Sequence, residues 1–258
     1  MATNWLDLLS AAISGGVVVK LLDYAYSEYR RRSEKSESAK ALANKHLDPI
    51  LKAADELVGK LRSIALRDVY DFEILLKPEE IEHNIPMTSI LYLIGQFWSR
   101  IQVLYIESVY VNLSASTLGK KLLSFIRTLE STRLRIVDRA LQRGIGEVLI
   151  MRDGNQLRTM NYREFVDNYF SLENTRFWFQ PLVSQLENIE HTRYRQRLLK
   201  YGAVIHALID TLDPDHMTTR ERTGWANKLT KKSRLDLRFR VFPLYLSFVT
   251  NPDKYYWI

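Results

Sequence analysis

Cysteine is absent from the 258-residue sequence. This absence excludes disulfide bonds, thiolate zinc sites, iron–sulfur clusters and cysteine nucleophiles. It agrees with a body that resides in the cytoplasm, where disulfide bonds are rare. Histidine is sparse as well, since the chain has 5, and none stands in the His-Glu-x-x-His spacing of a zinc hydrolase.

Motifs of known enzyme chemistry are also lacking. The chain has no phosphate-binding loop and no nucleophile elbow. Gly144 and Gly146 follow a predicted helix and lack the third glycine of a dinucleotide-binding turn. Asp213, Asp215 and His216 are close in sequence, but Asp-Pro chemistry that ends a helix explains them better than a metal site. We therefore predict no catalytic residue, no cofactor and no metal.

The N-terminus lacks an apolar run as long as a typical membrane-spanning helix and has a shorter one instead. Leu8–Val19 carries no charge, whereas a typical spanning helix needs about 18 apolar residues. A full span would use Trp5–Tyr26, which includes three charged residues, Asp7, Lys20 and Asp23. The basic cluster Arg30–Arg32 follows and is typical of a cytoplasmic stop. We predict a membrane-directed helix over residues 1–35, with an interfacial helix or a soluble core helix as alternatives.

Small residues recur every four positions in this segment. The spacing lets helix backbones approach closely in a bilayer and therefore predicts self-association. The predicted membrane or oligomer contacts are Ala11, Ala12, Ser14, Gly15, Gly16, Arg30, Arg31 and Arg32.

Helical periodicity dominates the rest of the chain. We expect a linker or stalk over residues 36–48 and a cytoplasmic helical domain over residues 49–258, which begins with Asp48 as N-cap and Pro49 in the first turn. Residues 87–111 are apolar nearly all round, which is typical of a central bundle helix. Asp153-Gly154 predicts a small hairpin near residues 148–160.

Three further boundaries follow from local sequence signals. A basic helix over Arg133–Arg143 should end at Gly144 and Gly146. Asn161 and Glu164 form a capping-box pair that begins the next helix. A long helix over Arg193–Leu212 should end at Asp213. The fold class is therefore all-α, a helical bundle with a minor β-hairpin.

Positive charge concentrates in the C-terminal half of a chain whose net charge is +7. An anionic membrane surface would attract such a segment, and nucleic acid would do so as well, with Tyr194 and Tyr201 available for stacking. A solvated face without a partner is the third interpretation. The predicted contacts to an anionic partner are Arg193, Arg195, Arg197, Lys200, Arg220, Arg222, Lys228, Lys231, Lys232 and Arg234.

Three stretches carry a resemblance to a known group of proteins. They are Pro49–Leu57 with Leu61, Tyr92–Phe97, and Arg135–Arg139 with Gln142–Glu147. Together with the N-terminal segment they resemble a broad group of uncharacterised bacterial proteins that have an N-terminal membrane helix and a cytoplasmic helical domain. The resemblance covers about two thirds of the chain and implies this architecture, but it implies no activity.

These observations predict a non-enzymatic, membrane-associated helical scaffold or effector, with its main domain in the cytoplasm, that oligomerises through its N-terminal helix. The first alternative is a helical module that binds nucleic acid through its basic C-terminal half. The second alternative is an enzyme whose site the sequence does not reveal.

Overall fold

A computed structural model describes residues 17–66 and 85–257. Over these residues the protein is mostly helical with one two-stranded antiparallel sheet, which confirms the all-α prediction and the minor hairpin. The helices are α1 Val17–Leu66, α2 Ile85–Glu107, α3 Thr117–Leu129, α4 Arg139–Val148, α5 Tyr162–Ser171, α6 Glu173–Glu187, α7 Thr192–Leu212, α8 Lys231–Asp236 and α9 Phe242–Tyr245. The strands are β1 Ile150–Asp153 and β2 Gln156–Thr159.

Helix α2 lies at the centre of the bundle, as its apolar sequence predicted. It packs against α1, α4 and α6 and contacts side chains of α7, and most of its residues are buried. Trp98 on α2 donates its indole N–H to the hydroxyl of Tyr201 on α7 at 2.8 Å, and both side chains lie in the core. The bond satisfies a donor that would be costly to bury alone.

Helix α1 is one continuous helix of 50 residues, so the predicted helix start at Asp48 and Pro49 is wrong. Proline removes one backbone hydrogen bond and crowds the carbonyl four residues earlier, which belongs to Lys45. The helix continues because tertiary contacts hold both sides of this point. Lys45 and His46 contact Glu107 of α2, and Ile50 is fully buried.

Gly144 and Gly146 lie inside α4, so the prediction that they end a helix is wrong. The preceding segment also differs from prediction, because residues 131–138 form turns and α4 begins only at Arg139. A methyl group on Gly144 would lie 2.3 Å from the Trp178 ring, and one on Gly146 would lie 2.8 Å from the carbonyl oxygen of Trp98. The two glycines therefore serve close packing of α4 on its neighbours.

The hairpin forms where the sequence predicted it, with the turn moved by one residue. Ile150 pairs with Thr159 and Asp153 with Gln156, which leaves Gly154 and Asn155 as the turn. Gly154 has φ of +57°, a conformation that favours glycine. The predicted capping box on α5 is also present.

Helix α1 runs antiparallel to both α2 and α7. Its middle meets the C-terminal ends of those helices, because Lys45 contacts Glu107 and Asp48 accepts a hydrogen bond from Thr218 at 3.0 Å. Further along, Leu61 lies against Gly202. The N-terminal end of α7 therefore lies at the end of the bundle where α1 finishes.

The N-terminal part of α1 extends beyond the bundle. Between Lys20 and Ser38 this helix has exposed or half-exposed residues throughout, and Ala39 is its first buried residue in the part of the chain that the structure describes. We call Lys20–Ser38 the arm. At 1.5 Å per residue it is roughly 30 Å long.

Among residues 17–66 and 85–257, no helix is both long and apolar enough to cross a membrane. The run Leu8–Gly16 and the small residues Ala11, Ala12, Ser14, Gly15 and Gly16 lie outside the described residues.

Candidate functional site

A groove of about 940 Å³ lies between the N-terminal half of α7 and the segment that contains α8. Its walls carry seven cationic side chains and a single carboxylate, a formal charge of +6 among the described residues that line it. We call this site the basic groove. Its charged residues are Arg133, Arg193, Arg197, Lys200, Lys231, Lys232, Arg240 and Asp236.

Helix geometry places three of these cations in one row. Arg193, Arg197 and Lys200 are separated by four and three residues, so they lie on one face of α7. Gln196 fixes the opposite wall, because its amide donates to the carbonyl of Lys228 at 3.0 Å and accepts from the backbone N–H of Thr230 at 2.8 Å. The segment that carries Lys231 and Lys232 is thereby held against α7.

Only part of the groove's charge is compensated internally. Lys200 donates to Asp236 at 2.6 Å, and a guanidinium nitrogen of Arg133 lies 3.8 Å from the same carboxylate. The remaining cations with no ion-pair partner among the described residues are Arg193, Arg197, Lys231, Lys232 and Arg240. These side chains can therefore meet an anion from solution without breaking an existing ion pair.

Arg197 is a half-buried cation with like charges nearby. Burial lowers the pKa of its guanidinium, and the like charges of Arg193 and Arg135 lower it further. Its hydrogen-bond partner is a neutral backbone carbonyl, that of Ile136, at 3.5 Å. A bound anion would offset the repulsion among these cations.

Apolar side chains also face the groove. Leu235 and Phe239 line it, and Phe239 is 59% exposed. Next to the groove, the Arg238 guanidinium lies 5.1 Å from the ring centre of Phe239 and 4.9 Å from that of Trp257, which is also exposed. The site thus combines cations with exposed aromatic side chains, and Arg238 lies over one face of each ring.

A second cavity of about 320 Å³ lies over the turns that precede α4. It shares one lining residue, Arg197, with the basic groove. Arg135 lies in the second cavity and pairs with Asp138 at 2.9 Å. Because Asp138 lines the same cavity, it offsets the charge of Arg135, and the second cavity adds no net charge to that of the groove.

The structure brings together five of the ten residues predicted to contact an anionic partner: Arg193, Arg197, Lys200, Lys231 and Lys232. Arg195, Arg220, Arg222, Lys228 and Arg234 do not line the groove. Arg222 instead donates to both carboxylate oxygens of Asp55 at 2.9 and 3.1 Å and so joins the C-terminal segment to α1.

Sequence reasoning missed Arg133, Arg240 and Phe239. Arg240 and Phe239 belong to the five-residue π-helical turn Leu237–Val241, which has no simple sequence signal and places both side chains in the groove. Arg133 is distant in sequence, and the pattern of the chain gives no sign that it meets Lys200.

The predicted basic stop lies on the arm and is paired within it. Arg30 contacts Glu34 at 2.9 Å, while Arg31 and Arg32 each contact Glu28 at 2.9 Å. Exposed ion pairs of this kind contribute little to stability. Five large apolar or aromatic side chains on the arm are between 63 and 72% exposed: Leu21, Leu22, Tyr24, Tyr26 and Tyr29.

The aspartates after α7 have a structural explanation. The carboxylate of Asp213 accepts hydrogen bonds from the backbone N–H groups of Met217, Thr218 and Thr219 at 2.9 to 3.0 Å. These bonds fix the turn that leaves α7. No group of metal-ligating side chains is found over the part of the chain that the structure covers.

Comparison with known proteins gives no relative: no family model, no curated protein and no solved structure matches this chain.

Proposed function

We propose that the protein is a membrane-associated helical scaffold that attaches through its N-terminal segment and binds an anionic partner in the basic groove. Self-association through Ala11, Gly15 and their neighbours belongs to the same proposal. The proposal gives no role to catalysis.

The observation that carries the proposal is the exposed arm. A soluble helix normally turns its large apolar side chains toward a core, yet the arm leaves five of them in solvent. The arm directly continues the uncharged run Leu8–Val19, so the exposed tyrosines would lie at the level of the lipid headgroups. Tyrosine is enriched at that level because its ring is apolar and its hydroxyl is polar.

Flotation with vesicles tests the attachment. The full-length protein should float with phosphatidylcholine vesicles and resist extraction by carbonate. Replacing Ile13→Asp and Val17→Asp should release it, since each acid near the centre of an apolar helix costs about 2.5 to 3.5 kcal/mol. A full-length wild-type protein that stays soluble without lipid or detergent would refute the proposal.

Two further variants make the experiment specific. A chain that begins at Ser36 retains every buried residue of α1 and should remain folded and soluble. Gly15→Leu with Gly16→Leu keeps the run apolar, so flotation should persist. Any crosslinked oligomer that the wild type forms in the membrane should be lost in this variant, because close helix approach needs small residues.

A further inference from the structure

We propose that the basic groove binds single-stranded nucleic acid on the side of the protein that faces away from the membrane. This inference rests on the proposed function for the orientation of the molecule, because the groove faces away only if the N-terminal segment meets the lipid. It replaces the headgroups of that membrane, the partner that the N-terminal segment favours, with a polymer from solution.

The position of the groove carries the first step. Leu61 of α1 lies against Gly202 of α7, and the groove cations Arg193, Arg197 and Lys200 precede Gly202 on a helix that runs antiparallel to α1. From Lys20 to Leu61, α1 covers about 60 Å at 1.5 Å per residue. The groove therefore lies beyond Leu61, more than about 60 Å from the N-terminal end of the arm. When α1 stands upright on the membrane, lipid headgroups around that end cannot reach the groove.

The shape of the charged surface carries the second step. The groove of about 940 Å³ carries seven cations against one carboxylate, and its residue Arg197 also lines the second cavity. A single phosphate would occupy only part of such a groove. A polymer with a negative charge on every unit can engage its cations in sequence.

The aromatic residues carry the third step. Single-stranded nucleic acid combines phosphates with flat bases, and proteins that bind it place stacking side chains beside basic grooves. Phe239 lines the groove and is 59% exposed, and the Arg238 guanidinium lies over one face of its ring. A base can stack on the exposed ring beside Arg238, whereas a polyanion without bases cannot.

The test uses the full-length protein in neutral phosphatidylcholine nanodiscs. Fluorescence anisotropy would measure binding of single-stranded DNA and RNA 20-mers at several salt concentrations. The groove variant combines Arg193→Ala, Lys231→Ala and Lys232→Ala, three exposed cations without ion-pair partners in the described chain. The matched control combines Lys120→Ala, Arg152→Ala and Arg163→Ala, which removes the same charge elsewhere on the surface.

We expect the groove variant to bind about one hundred-fold more weakly near 0.1 M salt, because each lost phosphate contact lowers the salt slope by about 0.7. The slope itself should fall by about two units, while the control variant should keep the wild-type slope. Equal losses in the two variants would overturn the inference, because they would show attraction by net charge alone.

Phe239→Ala separates nucleic acid from a simple polyanion. This change should weaken oligonucleotide binding about ten-fold, as expected for the loss of one stacked base, and leave binding of inorganic polyphosphate unchanged. Leu244→Ala removes an exposed apolar side chain outside the groove and should affect neither ligand. Equal effects of Phe239→Ala on both ligands would overturn the assignment of nucleic acid.

The two proposals fail in different ways. A protein that remains soluble yet binds oligonucleotides through the groove would support the nucleic-acid ligand and refute the membrane attachment. The present inference is refuted if the membrane-attached protein does not bind oligonucleotides. It is also refuted if the groove variant loses only its binding to nanodiscs that contain anionic lipid. Both results leave the membrane attachment standing.

Discussion

Glu164 shows how a single side chain joins two elements. Its carboxylate accepts two hydrogen bonds from the Arg158 guanidinium on β2, both at 2.7 Å, and a third from the backbone N–H of Asn161 at 2.8 Å. The hydrogen bonds from Arg158 and then Asn161 lower the pKa of Glu164 from 4.5 to about 2. The hairpin and α5 are thus linked through one ionised group.

This link predicts a pH-dependent difference between the wild type and Glu164→Gln. A lowered pKa in the folded state means that the stabilisation is present above pH 4.5 and is lost as the pH falls toward 2. Thermal melts at pH 7 should show the variant less stable, and the difference should shrink between pH 4.5 and 2. Glu221→Gln, on an exposed residue outside the capping box, is the control and should not reproduce this trend.

At the scale of elements, the contact between α4 and α6 depends on a missing side chain. Trp178 of α6 occupies the space where Gly144 of α4 would carry a methyl group, at 2.3 Å from the nearest ring carbon. Glycine within a helix ordinarily costs up to about 1 kcal/mol relative to alanine. Close packing of the tryptophan outweighs that cost here.

A double-mutant cycle tests this contact. Gly144→Ala should lower the free energy of unfolding by about 1 to 3 kcal/mol, because overpacking forces the two helices apart. In a Trp178→Ala background the same change should be neutral or stabilising by up to about 1 kcal/mol, because only helix propensity remains. Urea denaturation of the four proteins measures the coupling, and additive effects would contradict the contact.

At the scale of the whole molecule, local patterns predicted the elements better than their junctions. The capping box at Asn161 and the hairpin near Gly154 depend on residues adjacent in sequence, and both are present. Pro49 and Gly144 gave equally strong local signals for boundaries and were misleading, because contacts with Glu107 and Trp178 decide those positions. A single sequence does not show which distant residue overrides a local preference.

The basic groove illustrates the same limit for function. The row of Arg193, Arg197 and Lys200 follows from helical spacing and could be predicted. The contribution of Arg133 depends on how the turns after α3 fold back onto α7, and charge density along the chain does not reveal this. Of the ten residues that the sequence predicted to contact an anionic partner, five line the groove, and the contact itself stays a prediction.

Hydrogen exchange should reveal a steep gradient along α1. Residues 20–38 are all exposed or half-exposed, whereas Ile50, Leu57 and Leu61 are fully buried in the core. Local opening needs less free energy where few buried contacts must break. We expect amides of the arm to exchange many-fold faster than those of residues 50–61 when mass spectrometry follows the protein in detergent. Uniform protection along α1 would contradict the exposed arm.

The continuity of α1 has a consequence for how the arm becomes helical at all. A helix without tertiary contacts is only weakly stable in water, because forming its first turn is unfavourable while adding further turns is not. The buried turns after Ala39 supply that first turn, so the helix grows outward from the bundle without a nucleation step of its own. Melting the bundle would remove this nucleus, and the arm would lose its helical shape together with the domain it carries.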